Sequence, residues 1–138
     1  MAKRLISTIR TAVIATAIIG SGTCAAWAGD VRHPYIPQTA WGTWAVKPDL
    51  CGSNDPSNLY IKEGGAVGPE SACAVEYVVE TAGAKGPIYS AHMWCTDKDD
   101  PSKKSSKTFL SIPHGDDSMS VGTDFNDLKT YVRCPATR

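Results

Sequence analysis

Residues 1–28 read as an export leader, and that reading governs how every cysteine behind them is understood. Lys3, Arg4 and Arg10 make a positive head, Thr11 to Ile19 an apolar middle, and Ala26-Trp27-Ala28 a small-x-small cleavage signature. The cut is expected between Ala28 and Gly29. A stable bilayer-spanning helix needs about 20 apolar residues, and this shorter run is interrupted by Thr, Gly and Ser, so export and removal are expected over a retained anchor. Cys24 follows the apolar run, but Ser21-Gly22-Thr23 before it lacks the Leu-like start and the Gly, Ala or Ser end that precede a lipid-modified cysteine. Cys24 is therefore expected to leave with the leader.

Cleavage would leave 110 residues carrying Cys51, Cys73, Cys95 and Cys134. That length fits one domain with a modest core. In an oxidising compartment four cysteines are most simply two disulfides, which help where the core is small. Zinc prefers two thiolates two to four residues apart, and the spacings here are 22, 22 and 39. The leader takes three of the fourteen basic residues and none of the fourteen acidic ones, so the remaining chain carries a net charge of −3. Nucleic acid, whose phosphates need a clustered positive surface, is not an expected partner. No membrane association is expected once the leader is gone.

Behind the leader no amphipathic helix is legible. Short alternating runs separated by Gly, Pro, Asn, Asp and Ser predict an all-β chain. Gly29 to Thr39, with Pro34 and Pro37, reads as an irregular arm, the arm ending by residue 40 and a single domain running over 41–138. Seven strands are expected: Trp41–Val46, Leu59–Glu63, Cys73–Thr81, Ile88–Thr96, Phe109–Pro113, Ser118–Val121 and Thr130–Cys134. Gly64 to Pro69 and Ala82 to Gly86 read as turns and Asp97 to Lys107 as a charged loop. In the third strand Cys73, Val75, Tyr77 and Val79 are expected to face the core, opposite Glu76 and Glu80. In the fourth, Tyr89, Ala91, Met93 and Cys95 take one side and Ser90, His92 and Trp94 the other. Consecutive hairpins of this kind give a small antiparallel up-and-down β-barrel, with a β-sandwich as the alternative, either of which protects the sheet edges.

Two disulfide arrangements survive this register. A turn centred near residue 84 sets Cys73 almost opposite Cys95 as a cross-strand pair. Joining Cys51 to Cys73 and Cys95 to Cys134 instead pins both chain ends to the barrel, where fraying is cheapest, and is the favoured arrangement.

Trp41-Gly42-Thr43-Trp44-Ala45 ahead of Cys51, Glu70-Ser71-Ala72-Cys73, the strand ending in Cys95 and the terminal Tyr131-Val132-Arg133-Cys134 form a layout that resembles small exported proteobacterial proteins described as lipocalin-like or inhibitor-like β-barrels. The resemblance implies a non-enzymatic binding protein of the periplasm or exterior, such as one whose loop plugs an enzyme cleft. The Ser-Gly-x-x-Tyr loop of C-type lysozyme inhibitors is missing, so no inhibitory residue carries over.

Residues able to do chemistry are sparse. His33, His92 and His114 do not form a His-x-x-x-His or His-Glu-x-x-His arrangement, and no Gly-x-Ser-x-Gly elbow supports a serine nucleophile. Asp97-Lys98-Asp99-Asp100 has the carboxylate density of a calcium loop, but Pro101 stands where a ligand should, and neither the glycine nor the distant glutamate of an EF-hand follows. Asp116-Asp117 reads first as a turn. No catalytic residue, metal site or cofactor is expected. The expected activity is binding of a protein partner through Ser90, His92 and Trp94 or through the loop holding Lys103 and Lys104, as an inhibitor of an envelope or host enzyme would bind. The alternative is carriage of a small apolar ligand in a cavity lined by Tyr77, Tyr89 and Met93, the remaining aromatics, Trp41, Trp44, Phe109 and Tyr131, packing the core.

Overall fold

A computed structural model describes residues 29–136; the expected leader and Cys24 lie outside the described residues. Among the described residues nine strands form: β1 (Val31–His33), β2 (Gly42–Ala45), β3 (Leu59–Lys62), β4 (Gly65–Val67), β5 (Ser71–Gly83), β6 (Gly86–Asp97), β7 (Lys104–Pro113), β8 (Ser118–Gly122) and β9 (Lys129–Arg133). Strands β2 to β9 meander antiparallel around a closed barrel, β9 returning to β2 and β6 pairing with both β5 and β7. The barrel, rather than the sandwich, is the architecture. Closure leaves the eight-stranded wall with no free edge.

Two strands lie where irregular chain is expected from sequence. Val31–His33, in the proline-containing arm, pairs with Val78–Glu80 on β5, beyond the stretch of β5 that pairs with β4. Gly65–Val67 is strand despite its glycine, because β5 crosses so close that a Cβ on Gly65 would collide with the Cys73 carbonyl. The charged loop also shrinks. Lys104 to Lys107 belongs to β7, paired with Met93 to Thr96 of β6.

The inner face of β6 follows the expected alternation, with Ala91, Met93 and Cys95 buried and Trp94 exposed. On β5 the expected alternation holds only as far as Val75. Val75 pairs with Met93 and Tyr77 with His92, so Glu76 is an extra residue, a β-bulge. From there the facing inverts. Val78 is completely buried, while Tyr77 and Val79 leave the core for the outer face. The cavity expected between Tyr77, Tyr89 and Met93 is therefore not formed.

The same bulge aligns a disulfide. The turn pairs Gly83 with Gly86, and a regular ladder continued from it would set Cys73 opposite Thr96; the extra residue brings Cys73 opposite Cys95, to which it is bonded with a Cα–Cα separation of 4.0 Å. The second bond joins Cys51 to Cys134. The favoured arrangement, Cys51 with Cys73 and Cys95 with Cys134, is thus incorrect. Barrel closure is the reason, since it lays β9 against β2 and carries Cys134, whose N–H donates to the Thr43 carbonyl, to the loop that follows β2. Asn58 fixes that loop by donating from Nδ2 to the carbonyls of Leu50 and Ser53. Two disulfides fit an oxidising, extracytoplasmic environment.

The two ends of the barrel differ. At one, the chain between β1 and β2 crosses the opening, burying Ile36 and Ala40. The indole Nε1 of Trp41 donates to the Ile36 carbonyl (2.8 Å) and that of Trp44 to the Ala40 carbonyl (2.9 Å). Arg133 completes the seal, its guanidinium 4.1 Å from the Trp44 ring and donating to the carbonyls of Thr39, Trp41 and Asp116. Below this plug the barrel is filled: the void between Ile36, Tyr89, Met93 and Phe109 is about 30 Å³, one water's share of liquid. The other end, where β4 passes to β5, β6 to β7 and β8 to β9, keeps an open cleft of about 210 Å³.

Candidate binding surfaces

Strand alternation places Ser90, His92 and Trp94 on the outer wall as expected, but only Trp94 is free for contact. The His92 ring stacks on Tyr77 with centroids 4.3 Å apart and planes 21° from parallel, and Thr108 Oγ1 lies 3.4 Å from its Nδ1. The Arg32 guanidinium covers the same tyrosine, 3.6 Å from the ring centroid. Next to it, His33 Nε2 lies 2.7 Å from Glu80 Oε2, fastening β1 to β5. Ser90 and His92 are half-buried. Trp94 stands between small cross-strand neighbours, Ala74 on β5 and Ser106 on β7, and is 56 % exposed. Small flanking residues leave its faces uncovered.

Lys103 and Lys104 flank the open end. Lys103 Nζ lies 3.6 Å from Asp100 Oδ2, and Lys104 begins β7 opposite Thr96. The acidic run beside them acts as a turn former. Asp97 Oδ1 accepts from the N–H groups of Asp99 (2.8 Å) and Asp100 (3.1 Å), and Asp100 Oδ1 accepts from Ser102 N–H (3.1 Å) and its hydroxyl. The Ser102 hydroxyl and then its N–H hold the Asp100 carboxyl below the usual aspartate value. These carboxylates cap local N–H groups. His114 is occupied elsewhere, its Nε2 2.7 Å from Ser120 Oγ, so the three imidazoles have separate partners.

Two features escape sequence reasoning. Phe125, 62 % exposed, tips the connection between β8 and β9. That connection is held internally: Asp127 accepts from the N–H groups of Thr123 (2.9 Å) and Asp124 (2.8 Å) and from the Thr123 hydroxyl (2.6 Å), while Asp124 accepts from Asn126 N–H (2.6 Å). The Thr123 hydroxyl, then the Asp124 N–H, lower the Asp127 carboxyl below its usual value. Gly122 permits the fold, since a Cβ there would sit 2.5 Å from Asp127 Oδ1. The second feature is Lys107. Paired with the inward Met93, it points into the barrel mouth, and the signal that finds it is the Lys107-Phe109 alternation of β7.

Compared with protein-family models, curated proteins and solved structures, the chain has no match.

Proposed function

We propose that this protein acts outside the cytoplasm, in the periplasm or beyond it, as a non-enzymatic binding protein that docks a protein partner on the β5–β6–β7 wall and the adjoining loops of the open end. The observation that carries the reading is Trp94: a large indole left 56 % exposed between Ala74 and Ser106, on a wall whose other aromatic, Tyr77, is already covered by Arg32 and His92. Tryptophan is enriched among residues that dominate binding energy. Phe125, on a loop fixed by its own hydrogen bonds, adds a second apolar contact at little ordering cost. Lys104, and Lys103 beside Asp100, supply charged contacts at the rim of such a surface. The filled interior supports this reading over carriage of an apolar ligand in the centre of the barrel.

The test is capture from extracytoplasmic extract on immobilised native protein, followed by titration of the recovered partner. Trp94→Ala is expected to weaken that partner by at least about tenfold, the usual scale for a hot-spot aromatic. Tyr35→Ala, which removes an equally exposed aromatic beside the sealed end, should leave it unchanged. A partner indifferent to Trp94→Ala, Phe125→Ala and the paired Lys103→Glu/Lys104→Glu reversal would dismiss the proposed surface.

A further inference from the structure

Lys107 contradicts the pattern of the wall that carries it. The inner residues across from and beside it are Met93 and Phe109, and alternation turns its half-buried side chain toward the mouth. Lys129, paired with the inward Val121, lines the same cleft. Among the described residues neither ammonium is paired with a carboxylate. Asp127 lines the cleft as well, its carboxylate held within its own loop by Thr123 and Asp124. Glu70, on the connection from β4 to β5, is the other acid lining the cleft. The floor below the lysines is apolar and aromatic, formed by Leu59, Phe109, Val121 and Tyr131. Lys129 is exposed and Lys107 half-buried, so both ammonium groups stay hydrated and stand at the rim of the apolar floor, where an entering anion could meet them.

We infer that the open mouth is a binding site for a small carboxylate with an apolar tail of ring size, the carboxylate taken by Lys107 and Lys129 and the tail resting on Phe109, Val121 and Tyr131. A single ring fits: an enclosed apolar cavity of about 150 Å³ takes benzene, and the cleft, open to solvent on one side, measures about 210 Å³. The filled barrel beneath admits no long chain. The cleft adjoins the open-end loops of the proposed docking surface but not Trp94, so benzoate binding can be read on the isolated protein whether or not a protein docks there.

The experiment is calorimetric titration of the native protein, disulfides intact, with benzoate, with benzamide as its uncharged shape-mimic and with inorganic phosphate, alongside backbone amide NMR shifts. Benzoate is expected to saturate with a dissociation constant of about 1 mM or tighter, in keeping with so few ligand atoms, and to move the amides of Phe109, Val121 and Tyr131. Benzamide should bind at least about tenfold more weakly, the charge-assisted contacts being lost. The double variant Lys107→Met/Lys129→Met should bind benzoate and benzamide alike, its near-UV circular dichroism unchanged. The comparison of benzoate with benzamide on the unaltered protein decides the matter even if that variant fails to fold. Equal affinity for the two, absence of saturation by benzoate, shifts confined to other residues, or phosphate binding as tightly as benzoate would each overturn the assignment.

Discussion

Arg133 shows how much one side chain holds together near the end of the chain. Its guanidinium reaches the Thr39, Trp41 and Asp116 carbonyls while packing on Trp44, so the plug, the loop before β8 and the core indole share one anchor. Charge-assisted bonds of this kind contribute about 1.5–3 kcal/mol each when desolvated, and less where water competes. Arg133→Ala is expected to lower stability by about 2–3 kcal/mol in guanidinium denaturation. Arg133→Lys should recover less than half of that, since an ammonium cannot fork between carbonyls. Tyr131 makes a different prediction. Burial raises its phenol above the ordinary 10.0, and burial followed by the negative charge of Glu80 does the same for Tyr89. Both phenols stay protonated in the folded chain at a pH where the unfolded chain has begun to ionise. Their contribution is thus fully present below the ordinary tyrosine value and is lost as pH rises through the folded ones. The denaturation midpoint is expected to fall above about pH 10, with phenolate absorbance of Tyr131 appearing later than in the denatured protein.

Among the elements, sequence legibility followed regularity. Strand β6 keeps strict alternation, and its inward Ala91, Met93 and Cys95 and outward Trp94 can be read from sequence alone. Strand β5 looks equally regular, yet the extra residue at Glu76 exchanges Tyr77 for Val78 in the core. A bulge leaves no mark in polarity when both alternatives, Val75-Tyr77-Val79 and Val75-Val78, are apolar. Strand β4 is hidden for the opposite reason: Gly64-Gly65 and Gly68-Pro69 are turn residues, but Gly65 serves close backbone approach to Cys73. Lys104 to Lys107 is so polar that it reads as loop, and with it went the inward lysine on which the mouth site depends. The Trp94 half of the candidate surface was legible because alternation alone exposes it. The Phe125 loop was not, because hydrogen bonds within residues 123–127, rather than composition, make it rigid.

For the whole molecule, the disulfides divide the work. Cys73–Cys95 staples one hairpin, whereas Cys51–Cys134 spans 83 residues and lies at the seam where the first and last strands of the barrel meet. In the chain-entropy picture the long closure contributes about 4.5 kcal/mol and the short one about 3.4 kcal/mol, against a total of about 5–15 kcal/mol for a domain of this kind. Cys51→Ser/Cys134→Ser is therefore expected to remove about a third of the stability or more, and hydrogen exchange should rise first in β2 and β9. The seam explains that order. Only Trp44 with Arg133 and Ala45 with Val132 are paired there, against twelve pairs along β5 and β6. A reductant that severed this single bond would let the cylinder unroll along its shortest join, baring two strand margins whose unsatisfied amides and carbonyls are templates for another copy of the same chain. Thiol balance in its surroundings would then set how readily the protein self-associates through those margins.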